Sequence, residues 1–186
     1  SEASAVTRAA QQAMIAKLPP EGTRDAADSQ RGFLATRKDP VILNAAGKPV
    51  RNLEAYAFVA GGAPDTVNPS LWRHMTHLKH HGLFQVTPNV WQVRGFDVSN
   101  MTIVRGQTGW IVIDPLTSVE AAKAAMELVE QTLGKRPVTG LVYSHSHGDH
   151  FGGAKGVIDP ADAAARAGPV IAPAGFMEEA TSENVM

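Results

Sequence analysis

The run Pro137-Val138-Thr139-Gly140-Leu141-Val142-Tyr143-Ser144-His145-Ser146-His147-Gly148-Asp149-His150-Phe151-Gly152-Gly153 decides how this chain is read. Residues 137–143 form a continuous apolar stretch of strand length, the pattern of a strand buried on both faces. The polar, glycine-bearing half that follows reads as the loop at that strand's carboxyl end, where open α/β sheets bind ligands. His145 and His147 are two residues apart, which in an extended segment puts both rings on one side. Asp149 and His150 are neighbours with diverging side chains, an arrangement suited to a second metal ion close to the first. Imidazole with carboxylate favours zinc, although iron and manganese accept the same donors. Gly148, Gly152 and Gly153 allow a tight turn and a close approach of the next helix. At this chain's own His and Asp frequencies, His-x-His-x-Asp-His arises by chance in roughly 1 of 2,000 such chains. A polar surface loop without a role is therefore the weaker reading.

Outward from this run the pattern is regular. Val90–Arg94, Asn100–Arg105 and Trp110–Asp114 are short β-rich runs separated by glycine-containing turns. Thr117-x-x-Glu120 has the form of a capping box. It opens a helix with Ala122, Ala125, Met126, Val129 and Leu133 on one face, and Gly134 closes it. Beyond the loop, a shorter helix and a strand at Pro169–Ala172 are predicted. Toward the N-terminus, residues 4–18 read as a helix stopped by Pro19-Pro20. Val41–Leu43 and Pro49-Val50, joined by Asn44-Ala45-Ala46-Gly47, read as a hairpin. Asn68-Pro69 opens a helix that runs to Gly82. Hairpins followed by β-α-β-α predict a layered α/β (α+β) domain. Residues 1–82 are an arm of helices and a hairpin packing on the domain that begins at residue 83.

Composition narrows the function classes. The 186 residues hold 17 Lys+Arg against 18 Asp+Glu, are 44% apolar, and contain no cysteine. The balanced charge gives no footprint for nucleic acid, and no apolar stretch is long enough to span a membrane. Without cysteine, thiol nucleophiles and Cys-type zinc fingers are excluded, so a metal must be held by His, Asp and Glu. The start at Ser1 suits a removed signal peptide or a trimmed terminus, the cysteine-free composition is compatible with export, and an exported, periplasmic or secreted protein is the expectation. There is no G-x-S-x-G elbow, H-E-x-x-H or P-loop. Ser144 and Ser146 flank histidines, but neighbours in a strand point apart, which argues against a Ser–His dyad.

The loop offers four ligands, His145, His147, Asp149 and His150, whereas two zinc ions want about four each. No histidine follows His150; only Asp159, Asp162, Glu178, Glu179 and Glu183 do. Upstream, His74, His77 and His81 share a face at helical spacing, with His80 beside them. Their preferred reading is a solvated face opposite an apolar stripe of Leu71, Met75 and Leu78.

The string from His145 to Gly153 resembles the signature of the metallo-β-lactamase superfamily. Further strings resemble its bacterial alkylsulfatases, the enzymes that hydrolyse dodecyl sulfate and related detergents: 30–34, 63–72, 81–84, 93–102, 109–116, 173–177 and 182–185. The resemblance implies the first half of an αββα sandwich at 83–186, preceded by the helical and hairpin arm. It implies two zinc ions, one on His145 and His147, the other on Asp149 and His150, with Asp114 supporting the loop from outside the ligand shell. It also implies a homodimer through regions beyond this chain, and further ligands and sulfate-binding groups later in a larger polypeptide. On that count residues 1–186 alone are not expected to be a competent catalyst.

The implied reaction is hydrolysis of an alkyl sulfate to alcohol and sulfate by a zinc-activated hydroxide. No catalytic residue beyond the metal ligands is identified. Phe96, Val98, Met101 and Phe151 are candidates for lining an alkyl channel, with core packing the commoner role for such residues. A thioesterase or lactonase on the same scaffold is the alternative enzyme. A non-catalytic truncated segment is the alternative from another class.

Overall fold

The computed structural model describes residues 2–20, 23–159 and 168–185. Two compact units emerge, and they do not follow chain order: residues 1–31 with 54–80, and residues 32–53 with 81–186. Residues 32–53, counted with the arm in the sequence reading, thus belong to the second unit.

The first unit is helical. Helix α1 (Ala5–Lys17) is capped by Ser4, whose hydroxyl accepts from Thr7 N–H, and it stops before Pro19-Pro20 as expected. Helix α2 (Thr23–Gln30) has too little apolar character to announce itself in the sequence. Helix α3 (Pro69–Leu78) has Asn68 as its cap, accepting from Ser70 and Leu71 N–H. It ends four residues earlier than the expected Gly82. Its buried residues are Pro69 and Trp72, whereas Leu71 and Leu78 are exposed. Of the expected apolar stripe only Met75 is partly buried, and the interior is taken by Trp72, whose Nε1–H reaches Gly61 O at 3.0 Å.

The second unit is built on a seven-stranded mixed sheet. In chain order its strands are β1 (Phe33–Ala35), β4 (Gly82–Thr87), β5 (Val90–Arg94), β6 (Met101–Arg105), β7 (Trp110–Ile113), β8 (Val138–Val142) and β9 (Val170–Ile171), adjacent in that same order. Strands β1 to β7 pair antiparallel, while β7–β8 and β8–β9 are parallel. Strands β2 (Val41–Leu43) and β3 (Pro49–Asn52) form the expected hairpin, with Gly47 in the left-handed region at φ 73°.

Period-two alternation sends Trp91 and Val93, Met101 and Ile103, and Trp110 and Val112 to one buried face. Helix α4 (Val119–Leu133) crosses over between the parallel strands β7 and β8. It contributes Ala121, Ala122, Ala124, Ala125, Met126, Leu128 and Val129 to the same core. Its cap is Ser118, not Thr117: the Ser118 hydroxyl accepts from Ala121 N–H. Thr117 N–H is instead taken by Asp97 Oδ2 at 3.0 Å. The short helix expected before β9 lies largely outside the described residues. Helix α5 (Phe176–Val185) was not foreseen.

Trp110 is the keystone of this core. It is fully buried, meets Trp91 edge-on at 5.8 Å, and lies under the guanidinium groups of Arg105 and Arg136. Among the described residues its Nε1–H has no hydrogen-bond partner. Trp110→Ala is expected to cost about 3–5 kcal/mol. Trp110→Phe should cost clearly less, since it also removes the unpaired N–H. Urea unfolding midpoints of the two variants test this order.

Candidate metal centre

Two parallel strands ending side by side create the site. Beyond β7 the backbone enters the left-handed region at Asp114 (φ 57°) and Leu116 (φ 65°), conformations that cost energy in non-glycine residues and cluster at functional sites. Asp114 N–H donates to Val142 O at 2.9 Å, which holds the end of β7 against the end of β8. The loop from Ser144 onward then folds over this junction. Gly153 N–H donates to Leu116 O at 2.8 Å. A Cβ on Gly152 would stand 2.2 Å from Thr117 O, and one on Gly153 would stand 2.1 Å from Pro115 O. Only glycine permits this approach. Ser99 Oγ adds a short hydrogen bond to Asp149 O.

Asp114 organises the side chains. Its carboxylate is nearly buried and accepts three hydrogen bonds: Ser144 N–H to Oδ1 at 2.7 Å, Ser144 O–H to Oδ2 at 2.6 Å, and His150 Nδ1–H to Oδ2 at 2.9 Å. A carboxylate has no proton to give, so the directions follow. Ser144's only proton goes to Asp114, and its oxygen must accept Nδ1–H of His145 at 2.9 Å. Both His145 and His150 are thereby held as Nδ1–H tautomers with the Nε2 lone pair available to a ligand. Ser144 does approach a histidine, contrary to expectation. It does so as an acceptor, the opposite of a hydroxyl activated by a base.

The four loop residues converge. The ring of His145 lies 4.6 Å from that of His147 and 4.0 Å from that of His150. His145 and His147 share a side, as their spacing predicts. Asp149 and His150 do not diverge: a 3-10 turn at Gly148–His150 brings His150 Nε2 to 3.3 Å from Asp149 Oδ2. Among the described residues no group of three or more His, Asp or Glu is arranged to hold a metal alone. Imidazole beside carboxylate is donor chemistry that fits a metal.

Other candidates fall elsewhere. His74 and His77 lie on α3, but His81 lies past its end, with Nδ1 2.7 Å from Thr36 Oγ1. A shared helical face for all three therefore does not exist. Phe96 and Met101 are fully buried in the core, whereas Val98 is 79% exposed. Phe151 packs against Tyr143 at 6.0 Å and Phe176 at 5.2 Å. Burial raises the Tyr143 hydroxyl above its ordinary pKa. Sequence reading missed Ser99 and Asp97, and it gave Glu183 no role. Glu183 Oε2 accepts from Ser146 O–H at 2.7 Å, and Oε1 lies 3.8 Å from His147 Nε2. Nothing in the sequence separates Glu183 from the other late acidic residues.

Removing the Asp114 carboxylate should cost about 3 kcal/mol, since it strands buried donors on two segments. Asp114→Ala should also weaken metal binding by roughly 10–100-fold, as loss of such supporting groups generally does. Thermal unfolding of the metal-free protein and competition with a chromophoric chelator measure the two effects separately.

Residues 94–185 match the family model of the metallo-beta-lactamase superfamily. The chain is 46% identical to an (R)-specific secondary-alkylsulfatase of Pseudomonas sp. and 42% identical to a linear primary-alkylsulfatase of Pseudomonas sp. Each match covers 99% of this chain and 28% of the relative. Among solved structures, the stereoselective inverting sec-alkylsulfatase Pisa1 from Pseudomonas sp. superposes with a TM-score of 0.92 at 46% identity. That match covers 100% of this chain and 29% of the other. The chain thus spans less than a third of the length of these relatives, and the family carries with it a metal cofactor. Over residues 94–185 the chain matches the metallo-beta-lactamase superfamily, and the relatives it resembles along nearly its whole length are alkylsulfatases.

Proposed function

We propose that this chain contributes the metal-binding loop of an alkyl sulfate ester hydrolase acting on dodecyl sulfate-like detergents. The observation that carries the reading is the His145-x-His147-x-Asp149-His150 loop, set on the β7–β8 junction within a chain 46% identical to an alkylsulfatase along nearly all of its length. In this reading His145 and His147 hold one zinc ion, and Asp149 and His150 hold the second. Bound zinc supplies Lewis acidity toward the sulfate monoanion and a water-derived nucleophile whose pKa falls toward about 7.

The chain's own residues prepare that chemistry. Asp114, directly and through Ser144, keeps His150 and His145 with Nε2 free to bind, so neither ring has to turn or exchange a proton when a metal arrives. The Ser99 hydroxyl pins the backbone of Asp149. Tyr143, on the β8 side of the loop, and Phe151, beyond it, pack on each other and shield its flank. Of the four residues considered for an alkyl channel, Phe96 and Met101 are spent in the core, while Val98 presents its side chain to solvent. A homodimer and a periplasmic or secreted location belong to the same proposal. The first comes from the family resemblance, and the cysteine-free composition is compatible with the second.

In the full-length protein, His147→Ala should abolish sulfate release from dodecyl sulfate and lower zinc content. Ion chromatography of sulfate and metal analysis of the purified variant read the two. Turnover of a thioester or a lactone, with no sulfate release by the wild-type protein, would overturn the substrate assignment. Replacing His74, His77 and His81 together by Gln should leave zinc content and turnover unchanged; loss of a metal equivalent would place those residues in the centre.

A further inference from the structure

Helix α5 is fastened along the metal loop at two points. At its start, Phe176 packs on Tyr143 at 5.4 Å and on Phe151 at 5.2 Å, the aromatic residues on either side of the loop. Seven residues later, two turns on and on the same face, Glu183 reaches the loop itself. One carboxylate oxygen accepts from Ser146 O–H at 2.7 Å, and the other faces His147 Nε2 at 3.8 Å. His147 is the most exposed of the loop histidines and lies outside the Asp114 network. Asp114 and Ser144 direct the Nδ1–H of His145 and His150, and neither touches His147. A carboxylate facing Nε2 stabilises the Nε2–H tautomer and leaves Nδ1 as the ligating nitrogen.

We propose that Glu183 is a positioning residue for the metal centre, holding His147 as the Nε2–H tautomer while its second oxygen secures α5 through Ser146. This rests on the metal-centre reading above. The loop histidines then divide by partner: Asp114 turns two of them to bind through Nε2, and Glu183 turns the third to bind through Nδ1.

The test uses the full-length protein, with zinc affinity measured by chelator competition and the His147 tautomer read from imidazole ¹⁵N shifts, assigned by their loss in His147→Ala. In Glu183→Gln the amide oxygen still accepts from Ser146, which leaves the amide NH₂ facing His147 Nε2. Unfolding should therefore stay near wild type while zinc binding weakens by roughly 10–100-fold and the tautomer shifts away from Nε2–H. Ser146→Ala removes the bond that fastens α5 but keeps a carboxylate beside His147, so it should lower stability and weaken zinc binding less than Glu183→Gln does. A folded Glu183→Gln with wild-type zinc affinity and an unchanged tautomer would overturn the proposal. If His147→Ala loses zinc and Glu183→Gln does not, the role of Glu183 falls alone. If His147→Ala keeps its full zinc content, the metal-centre reading falls and this proposal with it.

Discussion

The carboxylate of Asp114 ties together three pieces of chain: the end of β7, the exit of β8 and the turn at Gly148–His150. A carboxylate this deeply buried is costly unless its oxygens are satisfied, and here three donors meet that demand. Because the group is an acceptor only, it also dictates which way every proton around it points. The hydrogen bonds that make its burial tolerable are thus the same ones that orient two histidines. Stability of the junction and readiness of the donors are one network.

That network needs a backbone the core can enforce. Asp114 and Leu116 occupy the left-handed region, and Gly152 and Gly153 lie against carbonyls of 115 and 117 closer than any Cβ allows. Such strain persists only where the surroundings over-determine it. Leu116 is fully buried in the cluster formed by α4 and the sheet, so the strained residue is itself part of the packed core. Helix α4 begins immediately after the strained segment, on the Ser118 cap, and covers that core with small side chains that let it lie close to the strands.

Much of this was legible in the sequence where periodicity or special residues carried it. The strands β5 to β7 follow from β-rich runs between glycine-containing turns, β8 from a continuous apolar run, helix α4 from its apolar face, and the hairpin from Gly47. The shared side of His145 and His147 follows from their spacing. What was illegible depended on tertiary contact. Thr117 has the credentials of a cap, but Asp97 claims its N–H, and Ser118 takes the role instead. Leu71 and Leu78 look like the inner face of α3 until the larger indole of Trp72 takes the interior. Asp149 and His150 point apart in an extended chain and together in a 3-10 turn. Glu183, 33 residues after His150, carries no local signal of its partner.

The loop alone forms pairs of donors, not closed sets, and this has a physical consequence. A metal ion gains most from ligands already oriented, because turning an imidazole or moving its proton on binding subtracts from affinity. Each loop histidine is oriented by a different neighbour: His150 by Asp114 directly, His145 by Asp114 through Ser144, and His147 facing the carboxylate of Glu183. The hydrogen bonds of Asp114 and Ser144 thus orient His145 and His150 with no metal ion present. With these partners at the end of β7, at the exit of β8 and on α5, the Nε2 atoms of His145 and His150 take no part in the Asp114 network.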